Sequence, residues 1–210
     1  MDKGVVVLGA GGHAKVCVEL LLSMGREVAY CIGNDASDVS TCAGIPIIIG
    51  DEQLVQLRDQ GYEEVFIAIG SNALRMRLAA KATGLGYRLV NAISPRAEIS
   101  RSAKLGNGIA VMAGAVINAE AVIEDLAIIN TGATIDHDCR IGQAVHIAPQ
   151  SALAGNVSVG AGSFLGIGSK VIPEVSIGGG VTVGAGGVVI SDIPARSTAV
   201  GVPAKVIKTV

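Results

Sequence analysis

The sequence predicts two domains of different class, an α/β unit followed by a parallel β-helix. Three observations carry that expectation. From residue 93 to residue 189 an aliphatic side chain occupies every sixth position without a slip, from Ile93, Ile99 and Leu105 through Ile135, Ile141 and Ile147 to Val183 and Val189. Four residues after each stands a compact or branched residue, such as Ala115, Ala133, Cys139, Ser151 or Val181, which a narrow interior accepts. The chain before residue 93 lacks this period and alternates short apolar runs with helical stretches. A six-residue period held over seventeen positions fits neither the 3.6 of a helix nor strict alternation, and it selects a β-helix.

In the first unit, residues 5–8 (Val-Val-Val-Leu) form a short buried-strand pattern that ends in Gly9-Ala10-Gly11-Gly12-His13-Ala14. An amphipathic stretch through Val16, Leu20, Leu21 and Met24 follows, giving strand, glycine turn and helix. Strands are expected at 28–32 and 65–69, a helix over 73–82, and a closing strand over 87–91. The alternation predicts a small parallel sheet with right-handed crossovers. Gly9, Gly11 and Ala14 fit the G-x-G-x-x-G/A pattern of a Rossmann-like turn, in which bare backbone and a helix N-terminus receive a phosphate. A dinucleotide fold needs six strands and their helices, more than this segment provides, so a mononucleotide or nucleotide-sugar site fits better. That site belongs at the carboxyl ends of the strands, at Gly11, Gly12 and His13, at Gly33-Asn34-Asp35 and at Gly70-Ser71-Asn72. Pro95 opens the repeat region, which places the domains at 1–92 and 93–210, the second closing in a short C-terminal tail.

Three hexapeptides make one triangular coil, so the repeats give between five and six coils. A prism with so few charges would expose large apolar patches as a monomer. Three-fold closure answers this, and a homotrimer with active sites between subunits is expected. The chain holds three histidines, of which His137 and His146 lie on the repeat. His137 stands between Asp136 and Asp138, and a carboxylate that accepts one imidazole N–H fixes the tautomer and raises the basicity of the other nitrogen. Either aspartate can serve from sequence alone, because a coil corner breaks the two-residue alternation of a strand. Zinc is disfavoured, since His137 and His146 are nine residues apart and no third histidine lies on the repeat; no metal is expected.

Composition narrows the partners. Glycine and charged residues interrupt every apolar run before the roughly 20 residues that a membrane span requires. The start runs directly into a strand with no leader pattern, so the expected location is cytoplasmic, without membrane insertion. A net charge of −2 and no basic run give no footprint for nucleic acid. Cys17, Cys31, Cys42 and Cys139 show no paired spacing and read as reduced, buried thiols. With two Phe, three Tyr and no Trp, a ligand is held by backbone and aliphatic contacts rather than by stacking.

Taken together, these segments resemble the bacterial NeuD/PglD-like sugar acyltransferases, which include sialic acid O-acetyltransferases and nucleotide-linked amino-sugar N-acetyltransferases. The resemblance covers nearly the whole chain. It rests on GAGGHAKV at 9–16, AIGSN at 68–72, INTGATIDHDCRIG at 129–142, HIAP at 146–149, LAGNVSVG at 153–160, FLGIGSKVIP at 164–173 and GVPAK at 201–205. It implies a left-handed β-helix and acetyl-CoA-dependent N-acetylation of the 4-amino group of a nucleotide-linked amino-dideoxy sugar in glycan synthesis, with O-acetylation of a sialic acid or related hydroxyl as the alternative. It further implies His137 as general base, with Asp138 raising its basicity. His146 is implied at the acetyl-CoA thioester, and Gly155, Ile167 and Ala185 along the pantetheine arm. The nucleotide sugar falls to Gly11, Gly12, His13, Gly33, Asn34 and Gly70, with Asn130 near the amine. The chain departs from the family where relatives often carry an acidic pair after the second strand, here only Asp35, and at Ala185, where glycine is frequent.

Overall fold

The computed structural model describes residues 3–34, 40–50 and 52–209. The chain divides into two compact units, Met1–Ile93 and Ser94–Val210.

The first unit is built from β1 (Val5–Leu8), α1 (Gly12–Ser23), β2 (Val28–Gly33), β3 (Thr41–Cys42), β4 (Ile45–Ile49), α2 (Gln53–Asp59), β5 (Glu64–Ile67), α3 (Asn72–Gly84) and β6 (Arg88–Leu89). Its six strands run in the order β3-β4-β2-β1-β5-β6, and only β3 and β4 pair antiparallel. The central strand β1 is fully apolar and buried, as a strand covered on both faces must be. The strand β4 and the helix α2 add to the elements expected from the sequence. Pro46 obscures β4 in the sequence. In the sheet the β2 ladder takes only Ile47, Ile48 and Ile49, so the missing N–H of Pro46 lies outside that pairing. The strand β5 ends at Ile67 rather than at residue 69, and residues 68–71 form the turn into α3. The helix α1 buries Ala14, Cys17, Val18 and Leu21, whereas Val16 and Met24 face outward, so the apolar stripe is rotated from the one the sequence suggested.

The second region repeats dipeptide strands every six residues, β7 to β23, from Ala92–Ile93 to Val188–Val189. Each ends on one of the seventeen periodic aliphatic residues. Strands pair in parallel with those 18 residues on, as in Val111↔Ile129, Ile129↔Ile147 and Ile147↔Leu165. Three flat faces result, and the stack is a left-handed parallel β-helix. From Val111 onward every periodic residue is buried. The compact residues at the other interior position are buried from Ile109 to Ile193, and the hydroxyls among them bond along the axis, Ser169 to Ser151 Oγ and Ser151 to the Gly166 carbonyl.

The corners follow the same period. Every sixth residue from Gly108 to Gly186 has positive φ, with glycine at Gly114, Gly132 and Gly168 but Glu120, Asp138 and Asn156 elsewhere. The expected C-terminal tail is an antiparallel hairpin, β24 (Ser197–Gly201) and β25 (Ala204–Thr209), that caps the β-helix through the pairing of β24 with β22 (Thr182–Val183).

Candidate active site

His137 sits on the corner between β14 (Thr134–Ile135) and β15 (Arg140–Ile141), with Asp138 next to it in the left-handed conformation at φ 61°. That conformation is costly for most side chains but is tolerated by Asp and Asn. It turns the Asp138 carboxylate back onto its neighbour, so that Nδ1 of His137 bonds Oδ2 of Asp138 at 2.8 Å. Asp136 has a different task. Its Oδ1 accepts the backbone N–H of His137 at 2.8 Å and the Nδ2–H of Asn118 at 3.0 Å, and these two bonds hold its carboxyl below the ordinary carboxylate range. The structure therefore resolves the choice between the two aspartates: Asp138 orients the imidazole and Asp136 braces the corner. The Asp138 hydrogen bond, aided by the charges of Asp136 and Asp138, raises the His137 pKa above the ordinary histidine value. Nε2 is then the basic nitrogen, on a side chain that stands open to solvent.

One coil later the same corner position is Gly155. A Cβ there would lie 2.5 Å from Cε1 and 2.6 Å from Nε2 of His137, so the imidazole rests in the space a side chain would fill. The Gly155 carbonyl accepts from Glu174, while its own N–H donates to no other described residue.

Asn130 and His146 meet elsewhere on the prism, at the face formed by β13 (Ile128–Ile129), β16 (His146–Ile147) and β19 (Phe164–Leu165). Oδ1 of Asn130 accepts the Thr131 N–H at 2.8 Å, which turns its Nδ2 toward Nε2 of His146 at 3.1 Å. His146 Nε2 is thus an acceptor and the ring proton belongs on Nδ1. Phe164 presses on this ring edge-on, with centroids 5.2 Å apart. Ile167 and Ala185 are both exposed and stack on the corner that follows this face, Gly186 donating to the Ile167 carbonyl at 2.8 Å. The residues read as one acyl-donor set from sequence therefore occupy two corners of the prism, with Gly155 on one and Ile167 and Ala185 on the other.

In the first unit, Gly9 has a φ of 125° and a Cβ there would meet the Ala68 carbonyl at 2.6 Å, so packing between neighbouring strand ends requires this glycine. Gly33 is likewise packed, against Ala10 and Ile47. Gly11, Gly12 and Gly70 are exposed, and a Cβ on any of them would meet no atom within 4 Å. Their bare backbone serves no packing contact and stays open at the α1 N-terminus and the β5–α3 turn. Asn34 is exposed beside them, and Asp35 lies outside the described residues. His13, behind Gly12, places Nε2 3.5 Å from the Cys17 thiol. Burial and the nearby Arg75 guanidinium lower its pKa to about 4, so it is neutral at physiological pH.

Sequence reasoning missed Arg75. It is buried to 1% exposure, and Nη1 donates to the carbonyls of Ile69 and Gly70 at 2.9 and 3.2 Å while Nη2 donates to Asn72 Oδ1 at 2.8 Å. It shapes the turn that carries Gly70. On a helix that reads Asn-Ala-Leu-Arg-Met-Arg, nothing in the sequence distinguishes it from the adjacent Arg77.

All four cysteines are buried. Among the described residues no group of three or more His, Cys, Asp or Glu side chains is placed to hold a metal ion, and no helix is long and apolar enough to cross a membrane.

A coiled prism bearing a carboxylate-paired histidine on one corner defines the class as a hexapeptide-repeat acyltransferase. Residues 4–82 match the PglD N-terminal domain. The whole chain is similar to a mutant of perosamine N-acetyltransferase from Caulobacter crescentus in complex with CoA and GDP-perosamine, with 53% identity over 98% of this chain and 97% of that one and a TM-score of 0.94. It is similar to the acetyltransferase domain of PglB from Neisseria gonorrhoeae FA1090 in complex with acetyl coenzyme A, with 37% identity over 99% and 100% of the two chains and a TM-score of 0.91. A serine acetyltransferase of Salmonella typhimurium is 31% identical over 125 residues, which make up 55% of this chain and only 39% of that relative's length. The chain belongs to the NeuD/PglD-like sugar acetyltransferase family.

Proposed function

We propose that this protein transfers the acetyl group of acetyl-CoA to the 4-amino group of a nucleotide-linked amino-dideoxy sugar for glycan synthesis, and that the nucleotide is GDP. The observation that carries the reading is the His137–Asp138 pair, a basic imidazole with its tautomer set and Nε2 facing solvent. The GDP assignment is supported by the relative at 53% identity, solved with GDP-perosamine.

In the proposed reaction the neutral amine attacks the thioester carbonyl and Nε2 of His137 accepts its proton. The tetrahedral oxyanion is met by the Gly155 N–H or by the Nδ1–H of His146. Collapse breaks the C–S bond, and the leaving thiolate takes a proton from the His137 imidazolium, which returns the base. Gly11, Gly12 and Gly70 receive the nucleotide diphosphate on bare backbone, with Asn34 and neutral His13 beside it. The arrangement of the prism supports a homotrimer: Asn130 and His146 occupy a different side from His137, and a second copy turned by three-fold symmetry would bring the two sets face to face across a groove. Both substrates are charged metabolites, which assigns the enzyme to the cytoplasm.

A thiol-release assay with acetyl-CoA and UDP-, GDP- and dTDP-linked 4-amino sugars, run beside sialic acid, tests the proposal. Turnover of the GDP-linked amine that disappears in His137→Ala is expected. Turnover of the hydroxy sugar alone would transfer the protein to O-acetylation.

A further inference from the structure

We propose that Gly155 is a positioning residue for His137: the absent side chain at this corner leaves the slot in which the imidazole lies against Asp138. Residues 137 and 155 occupy the same position on successive coils, joined by the bond from the Asn156 N–H to the His137 carbonyl at 2.9 Å. The column continues with Ala119 on one side and Pro173 on the other, so the corner itself accepts a side chain. Backbone conformation does not demand glycine either, because the positive φ falls on the following Asn156. The crowding comes from the ring alone. A Cβ on Gly155 would stand 2.5 Å from Cε1, 2.6 Å from Nε2 and 3.2 Å from Nδ1 of His137, the first two closer than van der Waals contact permits. A methyl group there must evict the imidazole, and since the ring is exposed it can leave at little cost to the fold, giving up its bond to Asp138.

The slot is a matter of packing between coils, whereas its kinetic consequence rests on the reading of His137 as general base. The ionisable groups that act on the ring are Asp136 and Asp138 on its own corner, with Cys139 beside them, and at the same αL position Glu120 stands one coil before and Glu174 two coils after. Histidine-labelled protein, with His137 assigned from its loss in His137→Ala, is titrated by NMR in the wild type and in Gly155→Ala, without substrate. The wild-type imidazole is expected to titrate above the ordinary value of about 6.5, and in Gly155→Ala to fall back toward it. Turnover is expected to drop at least about 100-fold, as for a misplaced catalytic group. In a His137→Ala background, Gly155→Ala should leave the melting temperature unchanged. If Gly155→Ala is unstable, adding His137→Ala should restore it. An unchanged titration in Gly155→Ala, or instability that persists without the imidazole, overturns the slot. A shifted titration with unaltered turnover keeps the slot and overturns the general-base reading instead.

Discussion

Asp138 reaches the imidazole of His137 because it occupies the left-handed corner of its coil, where φ is 61° and its Oδ2 lies 2.8 Å from Nδ1. The His137–Asp138 pair is thus made by a turn that recurs in the β-helix at every sixth residue. Two demands converge on residue 138, a backbone conformation and a carboxylate, and they can be separated by substitution.

Asp138→Asn keeps a residue that tolerates positive φ and removes the charge. Because the Asp138 bond raises the His137 pKa, the wild-type base is protonated and inactive below a value above the ordinary histidine range, and activity rises with pH through it. Asp138→Asn is expected to move that acidic limb to lower pH while lowering the plateau by about 100-fold or more. The pH profile of kcat/KM checks both signs. Asp138→Ala should show the same kinetic defect and in addition lose roughly 1 kcal/mol of stability to the strained turn.

Asn130 fixes the protonation of His146 by presenting its Nδ2–H to Nε2. Asn130→Leu removes the donor, and the His146 ring is expected to become a mixture of tautomers, visible in its nitrogen chemical shifts. Turnover should fall at unchanged melting temperature, since both residues lie on the surface of the prism. A ring that keeps its proton on Nδ1 would show that Asn130 does not set the tautomer.

Arg75 shapes the turn proposed to receive the nucleotide sugar. With its guanidinium on the carbonyls of Ile69 and Gly70 and on Asn72, Arg75→Met removes three hydrogen bonds from a charged donor, at a cost of about 1.5–3 kcal/mol each at most. The KM for the nucleotide sugar is expected to rise several-fold while that for acetyl-CoA stays constant. Arg75→Lys should rescue little, because an ammonium cannot reproduce the planar fork that holds three acceptors.

The interior of the prism gives a comparison within one residue type. Ile147 is fully buried and Ile167 is 53% exposed. Ile147→Ala should cost about 2–5 kcal/mol by urea denaturation, whereas Ile167→Ala should leave stability close to the wild type. A loss of acetyl-CoA affinity in Ile167→Ala at wild-type stability would assign that exposed side chain to the acyl donor.

The sequence alone determined the β-helix, because its period is a repeated physical demand: one buried aliphatic residue and one compact residue must return every sixth position for the coils to stack. It also singled out His137 through its two flanking aspartates. Tertiary structure decided what local pattern could not. Asp136 and Asp138 are equivalent by spacing, and only the left-handed turn at Asp138 shows which carboxylate meets the ring. Val16 and Met24 looked like core, and the packing of α1 turned them outward in favour of Cys17 and Val18. The strand β4 was concealed by Pro46, whose missing donor matters only once the register against β2 is known. Arg75 carried no signal, and Gly155, singled out for the pantetheine arm, carried none of its packing role, since both meanings lie in atoms distant along the chain: the carbonyls of a turn for one, and an imidazole eighteen residues earlier for the other. Spacing is written in the sequence wherever it repeats, but contacts between coils and across a turn exist only after the chain has closed on itself.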